Sequence, residues 1–341
     1  MNIANLTSKN SSSNAGEPDE IDKEIAHAFS RLSIQASLVS RTVPQEFYQN
    51  VEIGPSLSPH SDFFYCIREA RDSLNALIVE SLRSDDMGFI AEPTLGKAAN
   101  QMIARYKLVA RLHQWTTRLD LMVNQLGGLT VQDMDAIRLL RIQSIVAIIW
   151  NSTTLGGNEL QFDKYETHFG SIVSLASLII DKSENFTSSQ DSSRLSKLAA
   201  TLDSLSPTTT SLPAEGLPTF LFALEAGIIF PLYFTAIKCR CPLTRRHATS
   251  LLLQVEPQRQ GIWDARILGK TSEYIIQFEE ASSLAAVSCD TNTWPAEEMR
   301  IHSAYNTANE DMEKRVQEVT FTWRPGGPRG EWVAWSEYIY Y

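Results

Sequence analysis

One amphipathic stripe sets the strongest limit on how this chain folds. Met102, Tyr106, Val109, Leu112, Trp115, Leu119, Met122 and Leu126 advance by three or four residues at every step. That spacing lines one face of an α-helix, and Gly127-Gly128 then closes the run. A helix with such a face has to bury it against other elements. The surrounding sequence supplies them. Ile67, Ala70, Leu74, Leu77, Ile78 and Leu82 repeat at helical spacing, and Ile137 to Trp150 is apolar on most faces, as a central helix would be. Phe169 to Ile180, Thr219 to Ile237, Pro242 to Val255 and Gly269 to about Ser288 continue the pattern. Hydrophobic residues make up 43% of the 341 positions, enough to bury a sizeable core.

Near the end the period changes. Val319, Phe321 and Trp323 alternate, RPGGPRG supplies a turn, and EWVAWSEYI follows with aromatic and β-branched content. This predicts a terminal β-hairpin. Nothing alternates strand with helix in the manner of a parallel α/β sheet. The expected fold is therefore all-α: an array of antiparallel helices with a small C-terminal β-hairpin. Residues 1–20 read as a polar tail and 21–341 as one helical domain. Within that domain 187–218 is read as a linker, since 13 of the 25 residues from Thr187 to Ser211 are Ser or Thr.

The formal charge of −10 excludes a basic footprint for nucleic acid over the whole chain. The N-terminus has no apolar run and does not read as a secretory signal. Leu217 to Ile237 is the most apolar stretch, but Glu225 and Pro231 interrupt it, so a buried helix is expected and no membrane span. Four scattered cysteines, Cys66, Cys239, Cys241 and Cys289, fit reduced thiols better than a disulfide scaffold.

Motifs that carry chemistry are scarce. No nucleophile elbow, glycine-rich phosphate loop or HExxH pair occurs, and the six histidines are dispersed. Cys239-Arg240-Cys241 has no second cluster to complete a zinc site and reads as two ordinary thiols at a helix end. Asp85-Asp86 lacks the third acid of the aspartate-rich terpene cyclase motif. No catalytic, cofactor-binding or metal-binding residue is assigned. Lys238, Arg240, Arg245 and Arg246 form a local basic patch, read as a solvated helix end that complements the preceding helix dipole.

The segment FALEAGIIFPLYFTAIKCRCPLTRRHATSLL, followed by QRQGIWDARILGKTSEYIIQFEE, resembles the C-terminal regulatory domain of fungal-specific transcription factors, the group headed by a binuclear zinc cluster. The matching runs are Leu224 to Pro231, Cys239 to Ala248 and Gly261 to Asp264. FYCIREARDSLNAL, RLLRIQSIVAIIWNSTTLGGNELQFDKYETHF and RVQEVTFTW add similarity over about residues 60 to 323. The motif residues are Glu225, Gly227, Pro231, Arg240, Arg245, Arg246, Trp263 and Asp264, and their expected roles are architectural. Glu225 within an apolar helix needs a partner, for which Arg240 and Arg245 are candidates. Pro231 would kink or interrupt its helix, Pro242 would start the next, Trp263 would fill space between helices, and Asp264 would lie near a helix start.

The resemblance implies a non-enzymatic regulator in the nucleus. It would act through protein partners of the transcription machinery or another regulator, with a small-molecule effector as a further partner, and would control a secondary-metabolite pathway. The six-cysteine DNA-binding head is not found ahead of residue 60, so direct sequence-specific DNA binding is not expected of this chain. Either the regulator is headless or an upstream exon is missing. The alternatives are an all-α enzyme or small-molecule carrier on the same fold, or a truncated, non-functional regulator.

Overall fold

The computed structural model describes residues 63–85, 95–153, 158–181, 227–255, 258–260, 263–281 and 294–341. The polar tail at 1–20, the linker at 187–218 and Glu225 lie outside these residues. The described part of the chain is mostly helical.

Helix α1 (Ile67–Asp85), α2 (Leu95–Gln125) and α3 (Val131–Thr153) come first. The stripe on α2 does what its spacing predicts: Leu108, Leu112, Trp115, Leu119 and Met122 are all buried. They pack on Phe64, Ala70, Leu74 and Leu77, and on Ile137, Leu140, Ala147 and Ile148 of α3. The Trp115 indole N–H donates to the Ala70 carbonyl at 2.9 Å, tying α2 to α1. Glycine ends α2 as expected, with Gly128 at φ +74°, a conformation that side chains resist. Thr130 and Asp133 then form a reciprocal cap that starts α3: each side chain accepts the other's backbone N–H, at 3.1 and 2.9 Å.

Helix α3 is apolar on most faces because it has two cores to serve. Its Ile142, Val146 and Ile149 face a second cluster, built with a helix over 166–181 (α4), α5 (Ile229–Lys238), α6 (Pro242–Gln254) and Trp263. Phe234 lies at the middle of this cluster. Its ring centroid is 5.8 to 6.1 Å from those of Trp150, Phe162, Phe169 and Phe230. A 3-10 segment, Glu159–Tyr165, leads into α4. Two short strands, β1 (Arg259–Gln260) and β2 (Trp263–Asp264), precede α7 (Ala265–Glu280).

The C-terminal element is larger than the sequence predicts. β3 (Ile301–Asp311), β4 (Val316–Trp323) and β5 (Val333–Tyr340) form a three-stranded antiparallel sheet in the order β3-β4-β5. The predicted hairpin is β4 and β5, whereas β3 escapes notice because HSAYNTANED carries no apolar alternation. Ile301 at its start is buried, but pairing with β4 is what makes the rest a strand, so the fold is helical with a sheet and not strictly all-α. One sheet face covers α7. Val319, Phe321, Ile339 and Trp335 pack on Tyr274, Ile275 and Phe278, with Tyr274 and Phe321 centroids 4.8 Å apart.

Candidate functional site

Pro231, expected to break its helix, instead stands in the first turn of α5. The first helical hydrogen bond there, from the Leu232 N–H to the Ile228 carbonyl, lies beyond it, so no N–H is missed. Gly227 precedes this turn, where a Cβ atom would fall 1.8 Å from the Gln260 side-chain oxygen. That oxygen accepts the Ile229 N–H at 3.3 Å, so the glycine leaves room for Gln260 to reach the start of α5. Pro242 opens α6 as predicted. Asp264 caps α7 through the N–H groups of Arg266 and Ile267, and buried Trp263 packs its ring 5.0 Å from that of Phe230. Both roles match expectation.

The basic patch does not. Arg240 and Arg245 have fully buried side chains, and Lys238 is nearly so. The reading of a solvated helix end therefore fails, although its capping half survives: Arg240 donates to the Ile237 carbonyl at 2.6 Å and Arg245 to that of Ala236 at 3.2 Å. Arg246 alone remains partly exposed, beside Glu280. The patch is buried because carboxylates from distant segments meet it. Glu279 of α7 takes Arg240 on one oxygen at 3.0 Å and Arg245 on the other at 2.9 Å, and it also accepts the Ile301 N–H at 2.9 Å. Glu159 accepts Lys238 at 2.6 Å and Arg240 at 3.3 Å. Arg300 grips Asp163 with two bonds, 2.7 and 2.8 Å. Glu297 caps the 3-10 segment through the N–H groups of Glu159 and Leu160, both at 3.0 Å. Among the described residues Arg240 finds Glu159 and Glu279, and Arg245 finds Glu279 and Glu280; the pairing expected with Glu225 lies outside them.

This network joins five pieces of chain: the 3-10 segment, the end of α5, the start of α6, the end of α7 and the start of β3. Burial lowers the pKa of Arg245 below its usual value despite Glu279, whereas for Arg240 the combined pull of Glu279 and Glu159 outweighs burial. Burial likewise lowers Lys238, with Glu159 opposing it. Each of these cations faces a carboxylate, the arrangement of a structural lock. Among the described residues no group of three or more His, Cys, Asp or Glu converges as a metal site. Cys239 is a buried free thiol pushed up to about 11 by burial. Cys241 is disulfide-bonded, so two ordinary reduced thiols is the wrong description of this pair.

His302 lies against the network with a side chain only 10% exposed, 3.7 Å from Glu159 and 3.6 Å from Glu297. Burial, with Lys238 adding to it against the pull of Glu159, brings its pKa from 6.5 down to about 4. Between those two values the unfolded chain holds a proton that the folded one does not, so stability falls as the pH drops from about 6.5 toward about 4. His302→Gln should lose less stability over that window than the wild type, as read by denaturant midpoints at fixed pH. Parallel profiles would remove the imidazole from the account.

A separate cavity of about 160 Å³ lies between α1, α3 and the start of α5. Leu82, Leu139, Leu140, Val146, Trp150 and Phe230 give it an apolar lining. Arg71, Asn75, Ser81, Gln143 and Asn151 bring polar groups to the same wall. The Ser81 hydroxyl donates to the Asn151 side-chain oxygen at 2.8 Å, and the Asn151 amide donates to the Ala147 carbonyl at 2.7 Å, so this polar pair is held in place. Among the described motif residues only Pro231 reaches the cavity, and the others belong to the network, to helix starts or, for Trp263, to the second core. No described helix is long and apolar enough to cross a membrane. Comparison with family models, with curated proteins and with solved structures finds no match to this chain.

Proposed function

We propose that this chain is a non-enzymatic regulatory protein, similar to the effector half of a fungal transcription factor, that senses a small molecule in the cavity between α1, α3 and α5. It acts in the nucleus through protein partners, either the transcription machinery or another regulator, and controls a biosynthetic pathway. The cavity carries this reading. An apolar void of about 150 Å³ is large enough to take up a benzene-sized molecule, and this one measures about 160 Å³. A single aromatic ring, or a short aliphatic chain with one hydroxyl or amide to meet Ser81, Asn75 or Gln143, fits its size and lining. Among the described residues Arg71 is the one charged side chain on that lining, which favours recognition over acid–base chemistry and weighs against the enzyme alternative.

The test joins binding to cellular role. Indole, used as a probe, should raise the thermal midpoint of the wild type and leave Ala136→Trp unshifted, because the new ring on the cavity wall occupies the same space. A tagged chain should concentrate in the nucleus, and its deletion should change transcript levels. Exclusively cytoplasmic signal with unchanged transcripts would end the regulatory reading, whereas equal shifts in both proteins would end only the cavity's part in it.

A further inference from the structure

The cavity between α1, α3 and α5 differs at its two ends. The hydrogen bond from Ser81 to Asn151 sets α1 and α3 level at an offset of 70 positions. At that end Ser81, Leu82, Val146, Ala147, Asn151 and Phe230 are all buried. Toward the other end Ile67, Arg71, Asn75, Ala136, Leu139 and Gln143 are partly exposed. The void therefore runs from a dry, closed end to a wet, open one. Arg71 and Asn75 stand about one turn apart on the same face of α1. With a rise of about 1.5 Å per residue, Arg71 lies about 15 Å along the helix from Ser81.

The polar groups divide in the same way. At the dry end the Ser81 hydroxyl and the Asn151 amide already donate within the protein, to the Asn151 side-chain oxygen and the Ala147 carbonyl. At the wet end Arg71 brings a positive charge, and the Asn75 and Gln143 side chains bring amide groups that can donate. Among the described residues no Asp or Glu lines the cavity, so its charge is that of one cation. The Arg71 side chain is 33% exposed, and Asp72, next in sequence, lies 3.6 Å from its Nε. A guanidinium carries five N–H donors in a fixed fork, so contacts of this kind coexist with a carboxylate taken on another edge.

We propose that this cavity takes a small aromatic monocarboxylic acid, with its ring in the dry end beside Trp150 and Phe230 and its carboxylate at the open end on Arg71, flanked by Asn75 and Gln143. The acid's place there presupposes that the cavity is a ligand site, as proposed above. Size favours a single ring. An apolar void of about 150 Å³ holds benzene, and the cavity of about 160 Å³ leaves an acid group to emerge among the polar side chains. Charge favours a single carboxylate. A cationic ligand would be repelled by Arg71, and a neutral ring gains nothing from its charge. A phosphate dianion would bring a second charge that no cation on the described lining meets.

Benzoate and benzamide have nearly the same shape and differ in charge, which makes them the probes. Calorimetric titration of the full wild-type chain should show benzoate binding about tenfold tighter than benzamide, the gain expected of a charge-assisted over a neutral hydrogen bond. Arg71→Met should erase that preference and keep the indole-induced thermal shift, while Arg71→Lys should retain part of it. Ala136→Trp should lose both ligands, which separates the cavity from any surface arginine. Thermal midpoints of the unliganded Arg71 variants show whether they fold as the wild type does. If indole shifts the wild type but benzoate binds no tighter than benzamide, or if Arg71→Met keeps the preference, the acid is the wrong ligand class and the cavity remains a site for neutral molecules. If neither indole nor benzoate binds, the cavity is no ligand site and the acid falls with it.

Discussion

Glu279→Ala should cost this protein about 3–5 kcal/mol of stability, the usual price of breaking a buried ion pair by removing one partner. Glu279 has no exposed side-chain surface, and its two oxygens serve Arg240, Arg245 and the Ile301 N–H. With the carboxylate gone, Arg245 keeps Glu280 only at 3.6 Å, and a guanidinium with no exposed surface is left short of charge. The neighbouring strand also loses the acceptor that holds its first N–H. A loss of that size is a large share of the about 5–15 kcal/mol that holds a typical domain together. Denaturant unfolding of the purified chain measures it directly. Glu279→Leu combined with Arg245→Met should cost much less than Glu279→Ala, because the pair leaves together and apolar volume takes its place. A loss below about 1 kcal/mol for Glu279→Ala, the scale of an exposed pair, would mean that these charges are solvated and the network is not a lock.

The partners of Arg240 and Arg245 show why the network could not be read from the sequence. Glu159 and Arg240 are 81 positions apart, Glu279 and Arg245 are 34 apart, and Asp163 and Arg300 are 137 apart. Local pattern can mark an arginine as out of place in an apolar run, but it offers only nearby acids as partners, such as Glu225 in the preceding apolar run. A usable signal was present nonetheless. Glu279 ends a helix whose Ile275 and Ile276 are buried, and Glu159 and Asp163 lie within the DKYETHF neighbourhood already singled out by resemblance. Acids in apolar company on separate helices call for buried cations, and the chain holds such cations together at 238–245.

Elements whose logic is local were legible. The α2 stripe, the glycine stop after it, Pro242 at a helix start and Asp264 as a cap all depend on residues within a few positions of one another. β3 was missed because nothing in its own side chains requires a strand; β4 supplies the reason. The cavity was missed as a location for a similar cause. It lies where α1, α3 and α5 fail to close completely, and three helix faces have to be placed before that space exists. Of its wall, the sequence offered only hints: Ala136, Leu139, Leu140, Gln143, Val146, Ala147 and Trp150 follow helical spacing along α3, and two of them are alanines.

Trp115→Ala should destabilise the protein by about 3–5 kcal/mol, the range for removing a large aromatic side chain from a packed core. Trp115 is 2% exposed, its ring lies 5.9 Å from that of Phe64, and its N–H is the bond that joins α2 to α1 at Ala70. Trp115→Phe separates the two contributions. It keeps much of the ring and loses the hydrogen bond, so it should cost about 1–3 kcal/mol. The consequence reaches the cavity, because Ile67, Arg71, Asn75 and Ile78 of α1 line it and α1 is held from behind by Trp115. Trp115→Phe should therefore weaken the indole-induced thermal shift while leaving the His302-dependent pH profile unchanged, since that residue belongs to the far side of the second core. If the shift survives Trp115→Phe intact while stability falls as expected, α1 does not position the cavity wall, and α3 and α5 alone define the site.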